Sequence, residues 1–167
     1  MKNPTVQCRW LLSDELDAVA RLDFELSPDP WTADDLHSFL MSRNHLVQVA
    51  VADDEITGAL ACCMEQSIVH VSRLLVPQGE YAAETLAVFG AAIRNKLNNT
   101  RSRAQILIDE REITRLYTMN ALGFRAVSVV RNQFGECDGI LMVTDLYPGS
   151  SPDIPQNRLA TYFANGE

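Results

Sequence analysis

The stretch VPQGEYAAETL, residues 76–86, follows an apolar, β-branched run and opens an alanine-rich segment, the pattern of a strand turning into a helix. Such a turn presents unpaired backbone N–H groups and the positive end of a helix, which suits it to hold an anion such as phosphate. Its side chains argue the other way. Glu80 and Glu84 flank bulky Tyr81, and no Lys or Arg lies between Leu74 and Ile93. A carboxylate about 5 Å from a phosphate repels it by roughly 1 kcal/mol in bulk water and by more where the site is partly desolvated. An exposed helix N-terminus returns only about 0.3–1 kcal/mol. The position is that of a phosphate-binding loop, and the residues imply weakened binding or a changed ligand.

Other chemistries find less support. Cys8, Cys62, Cys63 and Cys137 form no Cys-x-x-Cys and have no His at ligand spacing, so they read as small thiols within strands and no metal site is expected. A Ser-His-Asp nucleophile signature is missing. With 22 acidic and 14 basic side chains the formal charge is −8, which disfavours nucleic acid or an anionic membrane as partner. The longest apolar runs are too short to span a bilayer, and MKNPTVQCRW holds no apolar signal core, so a cytoplasmic location is expected.

The elements that must position the loop can be read from periodicity. At 167 residues and 47% hydrophobic, the chain fits one domain, assigned to residues 1–147, with a proline-containing tail at 148–167 that packs through Leu159, Tyr162 and Phe163 or leaves the domain. VQCRWLL, residues 6–12, is a strand, and a helical period runs from Ser13 through Leu26. Thr32 caps a second helix with Leu36, Phe39 and Leu40 on one face. Residues 46–76 read as three meander strands with turns near Asp53–Asp54 and Glu65–Ser67. A helix over 80–97 follows, closed by Asn98–Asn99, then the strand AQILID, a helix stopped by Gly123, and two final strands. The order is β-α-α-β-β-β-α-β-α-β-β: an α/β fold with a mixed, mostly antiparallel sheet of about seven strands and about four helices.

That order, with the residues on it, resembles the GNAT superfamily of N-acetyltransferases over roughly residues 5–147. The resemblance is carried by the strand-loop-helix around Val76, by the helix ending LGF at 122–124, and by VRNQF…DGILM from Val130 to Met142. PWTADDLHSFL, residues 30–40, is similar to the Pro-Trp segment of the branch that acetylates the N-termini of ribosomal proteins. The resemblance implies acetyl-CoA as cosubstrate, its pyrophosphate held by backbone N–H groups of a loop reading Gln/Arg-x-x-Gly-x-Gly/Ala. Here Val76-Pro77 runs into Gln78-x-x-Tyr81-x-Ala83, so Gln78 and Ala83 match while Tyr81 replaces the first glycine. On this resemblance Leu75, Val76, Gln78, Gly79, Tyr81, Ala82 and Ala83 are the cofactor-binding residues, and the backbone near Leu75 and Val76 supplies oxyanion donors.

Acetyl transfer to an amine also needs a base and often an acid for the leaving thiolate. Where some family members carry a carboxylate base, this chain has His70, whose imidazole suits a base at neutral pH or simply packs in its strand. Arg73 reads as a substrate contact or a surface charge, and Trp31 as the rim of a substrate entrance or part of the core. The family's usual acid is a tyrosine four residues before the glycine of Gly-Phe; here Met119 stands there, Glu112 replaces the motif's Asn and Arg115 its Ala. Tyr117 fits only if two extra residues follow it, which turns a regular helix by about 200°. Arg131, Asn132 and Phe134 echo an Arg-x-Tyr-Tyr element without its phenols.

These residues lead to an acetyl-CoA-dependent N-acetyltransferase that uses direct transfer to a small-molecule or peptide amine, possibly a protein N-terminus, in a monomer or homodimer. The alternative is a GNAT-fold protein that no longer catalyses and binds CoA weakly, another ligand or a protein partner.

Overall fold

The computed structural model describes residues 5–146; the expected tail and its Leu159, Tyr162 and Phe163 lie outside the described residues. The elements follow the order read from the sequence: β1 (Gln7–Trp10), α1 (Leu16–Leu26), α2 (Ala33–Leu40), β2 (His45–Ala52), β3 (Glu55–Met64), β4 (Ile68–Leu75), α3 (Ala82–Lys96), β5 (Arg103–Asp109), α4 (Ile113–Ala121), β6 (Arg125–Phe134) and β7 (Cys137–Asp145). One sheet holds all seven strands in the order β1-β2-β3-β4-β5-β7-β6, and every neighbouring pair is antiparallel except β4 with β5.

Local chemistry sets the boundaries. The β2–β3 hairpin turns on Asp53 and Asp54, both at positive φ (49° and 63°), as a two-residue turn between Ala52 and Glu55 requires. Thr32 accepts a hydrogen bond from the Asp35 N–H at 3.2 Å while the Asp35 carboxylate accepts from the Thr32 N–H at 2.8 Å, a reciprocal cap for α2. Asn98 Oδ1 accepts from the N–H groups of Thr100 and Arg101, closing the segment after α3. Gly123 (φ 89°) lets the Phe124 N–H reach back to the Met119 carbonyl at 3.0 Å and ends α4.

Two boundaries differ from expectation. The first helix opens with a separate 3-10 turn over Ser13–Glu15, because the Glu15 carboxylate accepts from the Leu12 N–H at 2.9 Å and from both Arg9 guanidinium nitrogens at 2.8 and 2.5 Å. The α3 helix begins at Ala82 rather than Glu80, with Tyr81 at its cap.

The two faces of the sheet carry separate cores. Phe89, Ile93, Leu116 and Met119 of α3 and α4 pack with Leu60, Val71, Leu74 and Ile108 on one side. Val19 and Leu36 of α1 and α2 pack with Val47, Val49, Ala59 and Leu75 on the other. Helix α3 lies close against β3 at Gly58, where a Cβ would stand 2.6 Å from Thr85 Cγ2 and 2.7 Å from the Leu75 carbonyl oxygen.

Candidate active site

Strands β4 and β5 pair only at Ile68–Arg103, Val69–Ala104 and His70–Gln105. Beyond that, β4 continues through Leu75 against β3, and β5 through Asp109 against β7, with no bond between them. A bulge at Ser72 starts the divergence: Ala61 faces Arg73 while Cys62 faces Val71, so the intervening residue is extra. Bulges bend and twist the strand that carries them, and this one turns β4 away from β5. It also breaks the alternation of the strand, so that His70, Ser72 and Arg73 all reach the same groove.

The wedge opens into two cavities. One, of about 380 Å³, is lined by Leu74, Val76 and Gln78, by Leu26 of α1, and by the flank of α4 bearing Thr114 and Thr118. The other, of about 650 Å³, is lined by Trp31, His70, Ser72 and Arg73, by Leu107 of β5, and by Gln133 and Phe134 of β6. Arg111, Glu112 and Arg115 line both, and stand where the two meet.

Buried polar chemistry concentrates at this junction. The Asp23 carboxylate accepts from the Trp31 N–H at 2.8 Å and from the Ser27 hydroxyl, and lies 3.4 Å from Arg73 Nε. The Arg73 guanidinium donates to the Asp29 carbonyl at 2.7 Å and sits 4.7 Å over the Trp31 ring, which itself packs 5.0 Å from Phe39. Arg115 pairs with Glu112 at 3.2 Å and donates to Ser27 Oγ at 3.2 Å, so a chain of polar contacts runs from α4 to the end of α1. Asp109 accepts from the backbone and side chain of Arg111 at 2.5–3.0 Å, which holds its carboxyl below the usual range. Burial pushes the Glu112 carboxyl upward, Arg115 opposing and Asp109 adding to the rise. Burial also lowers the half-buried His70 imidazole, with Glu65 partly offsetting it.

No family model and no curated protein matches the sequence. The fold does match solved structures. The ribosomal-protein-S18-alanine N-acetyltransferase of Escherichia coli superposes with a TM-score of 0.70 at 12% identity, over 89% of this chain and 99% of that one. Arabidopsis thaliana NAA60 in complex with acetyl-CoA gives 0.68 at 11% identity, over 85% and 99%. The spermidine N-acetyltransferase of Vibrio cholerae, a dodecamer, gives 0.68 at 12%, over 89% and 99%. The chain has the GNAT fold.

Within that fold the residues singled out from the sequence fall into three groups. His70, Arg73 and Trp31 line the larger groove together. Val76 and Gln78 line the smaller cleft; Leu75 is buried against the α1–α2 side; Gly79 and Ala83 are exposed, with Ala82 half-buried, and none of the three lines either cavity. Tyr81 turns its ring away to the β2–β3 turn, where its hydroxyl donates to Asp53 Oδ2 at 2.7 Å and its ionisation is pushed up to about 12.

Tyr117 is not brought to the cleft. It is 72% exposed on the opposite flank of α4, beside Ile113, Asn120 and Ala126, because no bulge makes up the 200° between that position and the cleft face. Met119, at the family's acid position, is fully buried in the core. Sequence reasoning missed Glu112, Arg115, Arg111 and Asp23 as site residues. The signal was present for the first two, as departures from the motif's Asn and Ala, two uncharged residues replaced by charged ones. Among the described residues, no group of three or more His, Cys, Asp or Glu could hold a metal ion.

Proposed function

We propose that the protein is an acetyl-CoA-dependent N-acetyltransferase acting on a primary amine. The observation that carries this reading is the wedge between β4 and β5, open on both sides into cavities that meet at Glu112 and Arg115. Acetyl-CoA fits the smaller cleft: Val76 and Gln78 stand at its wall, and the β4 edge beyond His70 offers N–H groups that no strand uses. NAA60 was solved with acetyl-CoA, which supports the same cosubstrate here. Its phosphates would meet the start of α3, where Tyr81 is held aside by Asp53 while Glu80 and Glu84 remain exposed.

When bound, acetyl-CoA supplies an activated acetyl carbon: the C–N bond to the amine forms as the C–S bond breaks, one proton leaves the nitrogen and one reaches the sulfur. His70, in the acceptor groove and neutral at pH 7 because burial lowers its pKa, accepts the amine proton directly or through a water. The N–H groups of β4 near Leu75 and Val76 stabilise the oxyanion. No phenol reaches the sulfur, so its proton comes from water in the open cavities, while Glu112, ion-paired with Arg115 at 3.2 Å, lines the junction of the two.

A second reading, a GNAT-fold protein that binds without transfer, is favoured by one observation: no tyrosine lines either cavity. Thiol release from acetyl-CoA in the presence of an amine panel separates the two. Amine-dependent release that His70→Ala abolishes supports the enzyme; none with any amine, under conditions where acetyl-CoA binds, supports the second reading.

A further inference from the structure

A separate cavity lies between α3 and the β1 edge of the sheet, and it shares no lining residue with the two that meet at the wedge. Strand alternation puts Cys8 with Trp10, and Leu46 with Gln48, on one face, while Val88, Ala92 and Asn95 fall at helical spacing on α3. Alanines at 91 and 92 leave the space between helix and strands unfilled, and the cavity measures about 640 Å³.

Its charge is one-sided. Lys96 and Arg101 line it, and among the described residues no Asp or Glu does. Half-buried Lys96 donates to the Gln48 side-chain carbonyl and, at 3.1 Å, to the Ala92 carbonyl, both neutral acceptors. Arg101 donates through Nε to the Glu65 backbone carbonyl at 2.8 Å, and among the described residues no carboxylate pairs with it. The Glu65 carboxylate bears instead on Cys63 and His70, neither of which lines the cavity. The wedge differs, since Arg73, Arg111 and Arg115 each have a carboxylate partner there. Burial lowers the Lys96 ammonium, opposed by the thiols of Cys62 and Cys8. A cation taken partly out of water without a counter-charge is costly, and an anion in the cavity would offset that cost. The remaining wall is apolar: Leu46, Met64 and Val88, beside Trp10, which is 58% exposed.

We infer that this cavity is a binding site for a small amphiphilic anion, its head group held by Lys96 and Arg101 and its apolar body packed against Trp10, Leu46 and Met64. The site goes beyond acetyl transfer and does not depend on it. Carboxylate and phosphoryl head groups share the chemistry that a paired Lys and Arg recognise.

Matched eight-carbon compounds test the inference. Octanoate, octyl phosphate, octanamide and octylamine are titrated into the full-length protein while the indole N–H resonances of its two tryptophans are followed by NMR, Trp10 being assigned with Trp31→Phe. Octanoate is expected to shift the Trp10 resonance saturably and to bind at least about tenfold more tightly than octanamide. Most of that difference should be lost in Lys96→Met, which keeps an apolar stem, and Ala91→Phe, at an exposed helix position, should weaken binding by filling the cavity. The comparison of octanoate with octanamide in the unmodified protein stands even if a variant fails to fold. Tighter binding of octyl phosphate than of octanoate supports the site and makes the head group phosphoryl; the reverse order makes it a carboxylate. Equal binding of octanoate and octanamide, tighter binding of octylamine, shifts at Trp31 without Trp10, or no binding of either anion would overturn the inference.

Discussion

The base role proposed for His70 rests on its surroundings. An imidazole near 6.5 in water is half-protonated close to neutrality, and burial at the head of the wedge lowers that value, leaving the nitrogen free to accept a proton. The acid limb of kcat/KM is therefore expected below pH 6.5, with a plateau above it. His70→Ala should lower kcat/KM by about 10²–10⁴-fold, and an unchanged profile would remove His70 from the reaction. His70 was visible in the sequence because position and chemistry coincided. Glu112 and Arg115 were visible only as mismatches, since nothing in a single sequence says that two charged residues on a helix will face a wedge between two strands rather than solvent.

At the scale of elements, the site depends on how tightly α1, α3 and β4 are held around the wedge. Asp23 ties the end of α1 to Trp31, Ser27 and Arg73. Removing one partner of a buried pair strands the other, so Asp23→Ala should destabilise by about 3–5 kcal/mol in urea denaturation. Gly58→Ala should cost about 1–3 kcal/mol through overpacking, because the new Cβ meets Thr85 and backbone rather than a flexible tip; a neutral result would show that α3 yields there. In the loop before α3, Glu80→Gln should tighten acetyl-CoA binding by about threefold to fivefold, as measured by calorimetry. Every helix and strand was legible from periodicity and caps. The wedge was not, because it depends on where pairing with β5 stops; the consecutive polar residues Ser72 and Arg73 in HVSRLLV mark a break in alternation, but not which neighbouring strand the bulge turns away from.

The whole molecule responds to pH through groups whose shifts oppose one another. His70 is lowered, so the unfolded chain takes up its proton first: stability is full above pH 6.5 and falls as pH drops through that value toward the folded pKa. Asp109 is lowered too, by Arg111, and contributes stability that is present above about pH 3.9 and lost below it. Glu112 is raised, so its burial penalty is present at neutrality and relieved as pH falls. Thermal unfolding followed from pH 8 to 5 should therefore show an early loss that His70→Gln flattens and Asp109→Asn does not. An identical slope in both variants would mean that His70 is not desolvated in solution.

The proposed activity requires that the cleft between β4 and α4 receive acetyl-CoA. Calorimetric titration of acetyl-CoA into the unmodified protein and into Thr118→Trp, which fills the α4 wall of that cleft, tests it directly. Saturable one-to-one binding by the unmodified protein, lost in the variant, is the predicted result. No binding, or binding that the tryptophan leaves unchanged, would contradict it and show that a GNAT fold here serves a different ligand.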